Sequence, residues 1–320
     1  MHISESGVID YEKRGQRLDR VLAEMFPEYS RERLKAWLKS GELLIDGATL
    51  KPSLKVQGGE KVALTSVMAE VDPHHAEQMD LEIIDEDEHV IVVNKPAGLV
   101  VHPAPGNLGG TLLNGLLYHC PELVDLPRAG IVHRLDKETS GLMVVTKTFA
   151  AHKSLVDQLQ ARSVHRAYQC LVWGTPVSGE TIEARMGRHP TDRMKMAVVD
   201  ETEDRGKTAI THYRINHRFK HATFVDVQLE TGRTHQIRVH MAHRAYPLVG
   251  DPVYGRKGVI PARFPEPLRD ALKSFKRQAL HARRLEFTHP EKGEVSYEAQ
   301  KPDDFLNLLT VFKEHDSPDS

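Results

Sequence analysis

Apolar positions recur along this chain with two periods, and the change between them divides it. Leu18, Val21, Leu22 and Met25 fall three or four residues apart, one stripe of a helix that Pro27 must end. Ser30 is placed as the N-cap of a second helix, with Leu34, Trp37 and Leu38 as its buried stripe and Gly41 just past its end. Short strand-like pieces follow: LLIDG, with its Asp46-Gly47 turn, and KVALTS after Gly58-Gly59. Two helices and a small strand set therefore fill residues 13–66. Residues 67–83 hold Pro73 and few large apolar side chains, and are predicted to be a connector.

Beyond it the pattern turns strand-rich. HVIVVNKP has the continuous apolar run of a buried strand ending at a proline, and GLMVVTKT is another. RAYQCLVWG, THYRINHRF and ATFVDVQLETG alternate as strands do, and QALHARRLEFTHP and EVSYEAQ add two more. Helical spacing appears in TLLNGLLYHC, through Leu112, Leu113, Leu116 and Leu117, and in FAAHKSLVDQLQAR. Strands outnumber helices without strict alternation. The fold class predicted for residues 84–312 is α+β, a mostly antiparallel mixed sheet. No internal repeat is visible, and the tail KEHDSPDS, 313–320, is predicted to be disordered.

Composition narrows the class. A chain of 320 residues exceeds one ordinary domain and fits a small unit plus a larger one. Hydrophobic residues at 40% and charged residues at 28% are a soluble globular balance, and no apolar run reaches the roughly 18 residues that a membrane span needs. The N-terminus lacks an apolar core behind a basic start, so a secretory signal is not expected. Cys120 and Cys170 lack metal-type spacing and read as reduced thiols of a cytoplasmic protein. Net charge is only -2, but its distribution is uneven. Residues 13–61 hold 11 Lys/Arg against 7 Asp/Glu, whereas residues 70–88 hold 9 acids and no Lys or Arg. A basic module followed by an acidic connector is the expectation. Arg31, Arg33, Lys35 and Lys39 lie on the second helix, and charge alone reads equally as a solvated face or a phosphate-facing one.

The stretch GIVHRLDKETSGLMVVTKT, residues 130–148, carries the most chemical information. Asp136 stands two residues from Arg134, just before a strand. A carboxylate among cations stays ionised and serves as nucleophile or base, although the same pair also describes a structural ion pair. Tyr168, by itself, reads as a core aromatic in a strand. His235, His240 and His243 sit in one block, but no HExxH or paired CxxC accompanies them, so packing around Arg238 is preferred to metal binding. HRLD departs from the kinase HRD loop, and no GxGxxGxV or DFG is present. Glu138 is too close to Asp136 to make a glycosidase pair. Residues 255–277 carry 7 Lys/Arg against 2 acids and three prolines, a loop with a short helix. Arg263, Lys273, Lys276 and Arg277 there read either as an RNA clamp or as solvated charge.

Two resemblances add to this. RLDRVLAEMFPEYSRERLKAWLKSGELLIDG followed by KPSLKVQGGEKVAL resembles the alpha-L RNA-binding motif, the module shared with the S-four protein of the ribosomal small subunit. That resemblance implies that Arg31, Arg33 and Lys35 face RNA phosphates. HRLDKETSGL resembles the signature of the RluA family of pseudouridine synthases. Agreement extends, in order, to VNKPAGLVVHP, RAYQCLVWG and LETGRTHQIRVHMAHRAYPLVGDPVYG, and looks most like the RluD-type branch that modifies large-subunit ribosomal RNA.

The resemblance implies a pseudouridine synthase fold. It implies Asp136 as catalytic aspartate, Arg134 beside the flipped base, Tyr168 on the uracil, and Arg238 paired with the catalytic carboxylate. The reaction breaks C1′–N1 and joins C1′ to C5, so neither a metal nor a nucleotide cofactor is expected, and a monomer suffices. Attack of Asp136 at C1′ and a glycal route both remain open. The partner expected is RNA, ribosomal or pre-ribosomal, with no membrane. The rivals are the same reaction on transfer RNA and a non-catalytic ribosome-assembly factor that only binds RNA. Joint presence of Asp136, Tyr168 and Arg238 favours the enzyme, since binding alone needs none of the three.

Overall fold

The computed structural model describes residues 2–27, 29, 31–67, 75–104, 106–192, 195–200, 206–255, 260–261 and 263–317. Expectations for Ser30, connector residues 68–74, Arg256, Lys257 and residues 318–320 fall outside them. The chain divides into two units, Met1–Asp72 and Pro73–Ser320.

In the first unit, β1 (His2–Val8), β3 (Lys61–Val67) and β2 (Leu43–Ile45) form an antiparallel sheet in the order β1-β3-β2. Helices α1 (Leu18–Met25) and α2 (Arg31–Ser40) pack with it. Both predicted stripes are buried, Leu18, Val21 and Leu22 against Leu34, Trp37 and Leu38. Gly41 adopts φ +88, and its N–H closes the end of α2 on the Trp37 carbonyl at 3.0 Å. The unit begins before residue 13, because β1 adds a strand. HISESGV carries no apolar alternation, so periodicity could not show it.

Asp19 ties α1 to α2. Its carboxylate is 1% exposed and pairs with Arg17 (3.1 Å), Arg31 (2.9 Å) and Lys35 (3.9 Å). The Arg17 hydrogen bond, aided by Arg31, lowers its pKa to about 2. A carboxyl lowered in the folded state contributes stability above its unfolded pKa and loses it as pH falls through the folded one. Asp19→Asn should therefore destabilise this unit at pH 7, by on the order of 1–2 kcal/mol after solvent screening of the half-exposed arginines. Urea unfolding of the full chain should show the gap closing between pH 4 and pH 2; a gap that persists at pH 2 contradicts the assignment.

The second unit is built on one sheet in the order β4-β5-β6-β12-β7-β11-β10-β8-β9, with β13 beside β12. Its strands are β4 (Ile83–Glu86), β5 (Val90–Lys95), β6 (Ser140–Thr146), β7 (His165–Trp173), β8 (Glu180–Arg188) and β9 (Met196–Val198). Then follow β10 (Lys207–Arg218), β11 (Ala222–Leu229), β12 (Leu280–His289) and β13 (Gly293–Glu298). Pairing is antiparallel except between β6 and β12, so the α+β, mostly antiparallel reading holds. Helices α3 (Leu112–His119) and α5 (Gln236–His243) share a core with Ile91, Val93, Met143 and Val145. The alternate residues Val90, Val92, Leu142 and Val144 pack instead with Leu155 of α4 (Phe149–Ala161). Burial on both faces is why β5 and β6 read as continuous apolar runs. A further core holds α6 (Glu266–Ser274) and α7 (Asp303–His315) together.

Gly141 marks the parallel contact. It adopts φ +117, and a Cβ there would stand 2.2 Å from the Ala282 carbonyl oxygen. Gly141→Ala is expected to cost about 2–3 kcal/mol through strain alone, measurable by thermal unfolding; unchanged stability would show that β6 and β12 separate freely.

Two predicted boundaries move. Residues 75–82 pack on the second unit rather than linking freely: the Glu77 N–H reaches the Asn114 carbonyl at 3.0 Å, and Met79 and Leu81 crowd Gly115 of α3. The tail is ordered past residue 313, since α7 runs to His315 with Phe305, Leu308, Leu309 and Phe312 buried. Asp316 then accepts from the His221 backbone N–H at 2.9 Å. Reading 313–317 from composition overlooked that apolar stripe.

Candidate active site

A cleft of about 930 Å³ opens beside β7, and Asp136, Tyr168, Arg134 and Arg238 all line it. The loop bearing Asp136 is fixed by its own carbonyls. The Asp136 carbonyl accepts from Thr139 N–H (3.0 Å), and that of Lys137 from Gly98 N–H (2.9 Å) and Lys95 Nζ (3.0 Å). The Glu138 carbonyl accepts from Arg277 Nη1 at 3.3 Å. With its backbone acceptors satisfied, the loop has little freedom to move the carboxylate.

Lys95 anchors that loop from below the surface. It is fully buried, and its ammonium donates also to the carbonyls of Pro96 (2.8 Å) and Leu99 (3.0 Å). Its three protons meet three oxygens. Burial lowers its pKa to about 7, opposed by the charges of Glu138 and Asp136.

Arg238, on α5, joins the site to its support. Nη1 donates to Asp136 Oδ2 at 3.0 Å, while Nε and Nη2 grip Asp251 at 2.7 and 2.9 Å. Asp251 Oδ1 also accepts from the Val253 and Tyr254 N–H groups, so its bidentate face cannot swing away. The Tyr254 ring lies under the Arg238 guanidinium, 5.0 Å away. α5 is held by Gln236, whose amide donates to the Ile210 carbonyl and to Thr211 while accepting from Thr231 and the Arg233 N–H. Asp136 is 16% exposed; its Oδ1 has the His235 ring 3.9 Å away.

Tyr168 is buried on β7, and its hydroxyl has no hydrogen-bond partner among the described residues. Burial raises its pKa, with Arg166 opposing and Asp136 adding to the rise. Arg134 is exposed at the cleft. Arg31, Arg33 and Lys35 belong to the first unit. Arg31 and Lys35 are turned to Asp19, and the Arg33 guanidinium lies 5.8 Å from the Trp37 ring. Among the described residues no His, Cys, Asp or Glu group is arranged as a metal site; His240 is buried on Thr211, while His243 is exposed. Arg277 corrects the reading of the basic segment. It is buried and bidentate to Asp304 at 2.6 and 2.7 Å, so it does not face RNA as free charge.

Over 313 residues the chain is 52% identical to the ribosomal large subunit pseudouridine synthase D of Pseudomonas aeruginosa, covering 98% of this chain and 97% of that one. The chain belongs to the RNA pseudouridylate synthase family. The family's model matches residues 89–243, and an S4 domain matches residues 16–62. A relative of the same description from Haemophilus influenzae is 48% identical over 97% of this chain and 95% of its own. Human RNA pseudouridylate synthase domain containing 4 shares the fold at 24% identity, with a TM-score of 0.57 over 72% of this chain and 93% of its own.

Among pseudouridylate synthase residues, sequence reading missed Lys95, Asp251 and the anchoring role of Arg277. VNKP and GDPVYG were both recognised as blocks. Only folding shows that Lys95 and Asp251 converge on the Asp136 loop, one directly and one through Arg238.

Proposed function

We propose that this chain isomerises uridine to pseudouridine in large-subunit ribosomal RNA, with Asp136 as the reacting carboxylate. One observation carries the assignment: Arg238, locked by Asp251, grips one oxygen of Asp136 in the lining of a cleft of about 930 Å³, room enough for a nucleoside. Held so, the carboxylate is kept aimed.

The target uridine must first leave its stack, at a cost of a few kcal/mol. Arg134, exposed at the mouth, is placed to fill the vacated space or meet a neighbouring phosphate. Asp136 then either attacks C1′ or takes a ribose proton so that the base leaves as a glycal is formed. The base turns, C5 bonds to C1′, and the C5 proton must go. Tyr168, which lines the cleft with Asp136 and whose hydroxyl has no hydrogen-bond partner among the described residues, or water ordered by it, is the acceptor. Neither redox change nor phosphoryl transfer occurs, so a single chain without a nucleotide cofactor suffices. Arg31, Arg33 and Lys35 of the S4 domain are proposed to add phosphate contacts.

Relatives described as ribosomal large subunit pseudouridine synthases support the choice of RNA. No helix among the described residues is long and apolar enough to cross a membrane. The substrate is tested with ribosomal and transfer RNA from cells lacking the protein, each tritiated at uracil C5. Release from the large-subunit RNA and none from transfer RNA is expected; the reverse would reassign the substrate while keeping the chemistry.

A further inference from the structure

Arg166, two residues before Tyr168 on the same face of β7, is a buried cation without a counter-ion among the described residues. It is 8% exposed, lines the cleft, and makes one hydrogen bond among the described residues, from Nη2 to the Glu230 carbonyl at 3.2 Å. Its buried Nε has no hydrogen-bond partner among the described residues. The Glu230 carboxylate is engaged elsewhere, by Arg162 at 3.1 Å and His212 at 2.8 Å. Burying a charge unpaired is unfavourable, so an anion missing from the protein is expected to meet it.

Gly232 supplies a second, independent observation. A Cβ there would stand 2.6 Å from Arg166 Nη1. Gly232 is outside the left-handed region, so backbone conformation does not require a glycine. A Cβ there would instead make the guanidinium shift, so Gly232 leaves Arg166 its place.

The depth of Arg166 selects the anion. RNA phosphates stay on the outside of the strand, and exposed Arg128 and Arg134 already line the mouth of the cleft. What enters far enough to reach a residue beside Tyr168 is the flipped base. That base is neutral in RNA and becomes an anion only during the reaction.

We propose that Arg166 is a further catalytic residue, which holds the negative charge of the detached uracil. The inference rests on the isomerase reading given above. Cleavage of C1′–N1 leaves its electron pair on the base, and the charge spreads over N1, O2 and O4. Arg166 donates a hydrogen bond to a carbonyl oxygen of that anion while the base turns. C5 then supplies the electron pair of the new C5–C1′ bond, any Asp136 ester is released as carboxylate, the C5 proton leaves and N1 gains one. Atoms and charge balance as an isomerisation. Because the charge exists only after cleavage has begun, the interaction raises kcat rather than affinity.

The test compares wild type with Arg166→Gln, Arg166→Lys and Gly232→Ala in the full chain, using large-subunit ribosomal RNA tritiated at uracil C5. Arg166→Gln is expected to lower single-turnover tritium release about 100-fold or more. Its RNA Kd and the salt dependence of that Kd should match wild type. Arg166→Lys should recover part of the rate. Gly232→Ala, which keeps the cation and displaces it, should slow release in the same direction, and carries the test if Arg166→Gln does not fold. Weaker RNA binding with a shallower salt slope and a preserved rate would make Arg166 a phosphate contact and overturn the proposal. A rate unchanged in all three variants would overturn it as well. Absence of release from wild type is a different failure, which removes the isomerase reading itself and this inference with it.

Discussion

Arg238→Met is expected to lower tritium release at least about 100-fold and to destabilise the second unit by about 3–5 kcal/mol. The two losses have different origins. Stability falls because Asp251, fully buried at its side chain, keeps its charge and loses the guanidinium that balanced it. Activity falls because Asp136 loses the hydrogen bond at 3.0 Å that aims it. A second substitution separates them. Asp251→Asn removes the stranded charge while its amide oxygen can still accept from the Val253 and Tyr254 N–H groups. The double variant Arg238→Met with Asp251→Asn should therefore recover part of the stability in urea unfolding and none of the activity. Recovery of both would mean that Arg238 acts on catalysis only through the fold.

How much of this was legible beforehand depended on the kind of signal. Where one face or both faces are apolar, period alone found the elements: α1, α2, α3, β5, β6 and β7 lie where Leu18, Leu34, Leu112, Val90, Leu142 and Tyr168 placed them. β1 was not found, because HISESGV carries no apolar alternation, whereas β8, whose Ile182, Ala184 and Met186 do alternate with Thr181, Glu183 and Arg185, was overlooked. Charge counting failed at Arg277 for a related reason. A count treats a buried arginine paired to Asp304 and an exposed lysine as the same positive charge.

The site divides similarly. An aspartate beside an arginine marked the Asp136 loop as chemistry or as an ion pair, and residues alone left both open. Resemblance singled out Tyr168 and Arg238, and the fold brings both to the cleft with Asp136. Asp251 stayed invisible since its partner is 13 residues away on a helix, and an Asp before a proline reads as a turn. Lys95 was hidden because no pattern of polarity predicts a lysine at the centre of three carbonyls.

Asp136→Asn decides whether Asp136 itself is the reacting carboxylate. The substitution keeps size and leaves an amide oxygen that can accept from Arg238, so the fold should survive with a stability change within about 1 kcal/mol. Removing a reacting group commonly costs about 10⁴-fold or more. With large-subunit ribosomal RNA from cells lacking the protein, tritiated at uracil C5, wild type should release tritium and the folded Asp136→Asn protein should release none above background. Release by the variant at a rate near wild type would place the reacting carboxylate elsewhere.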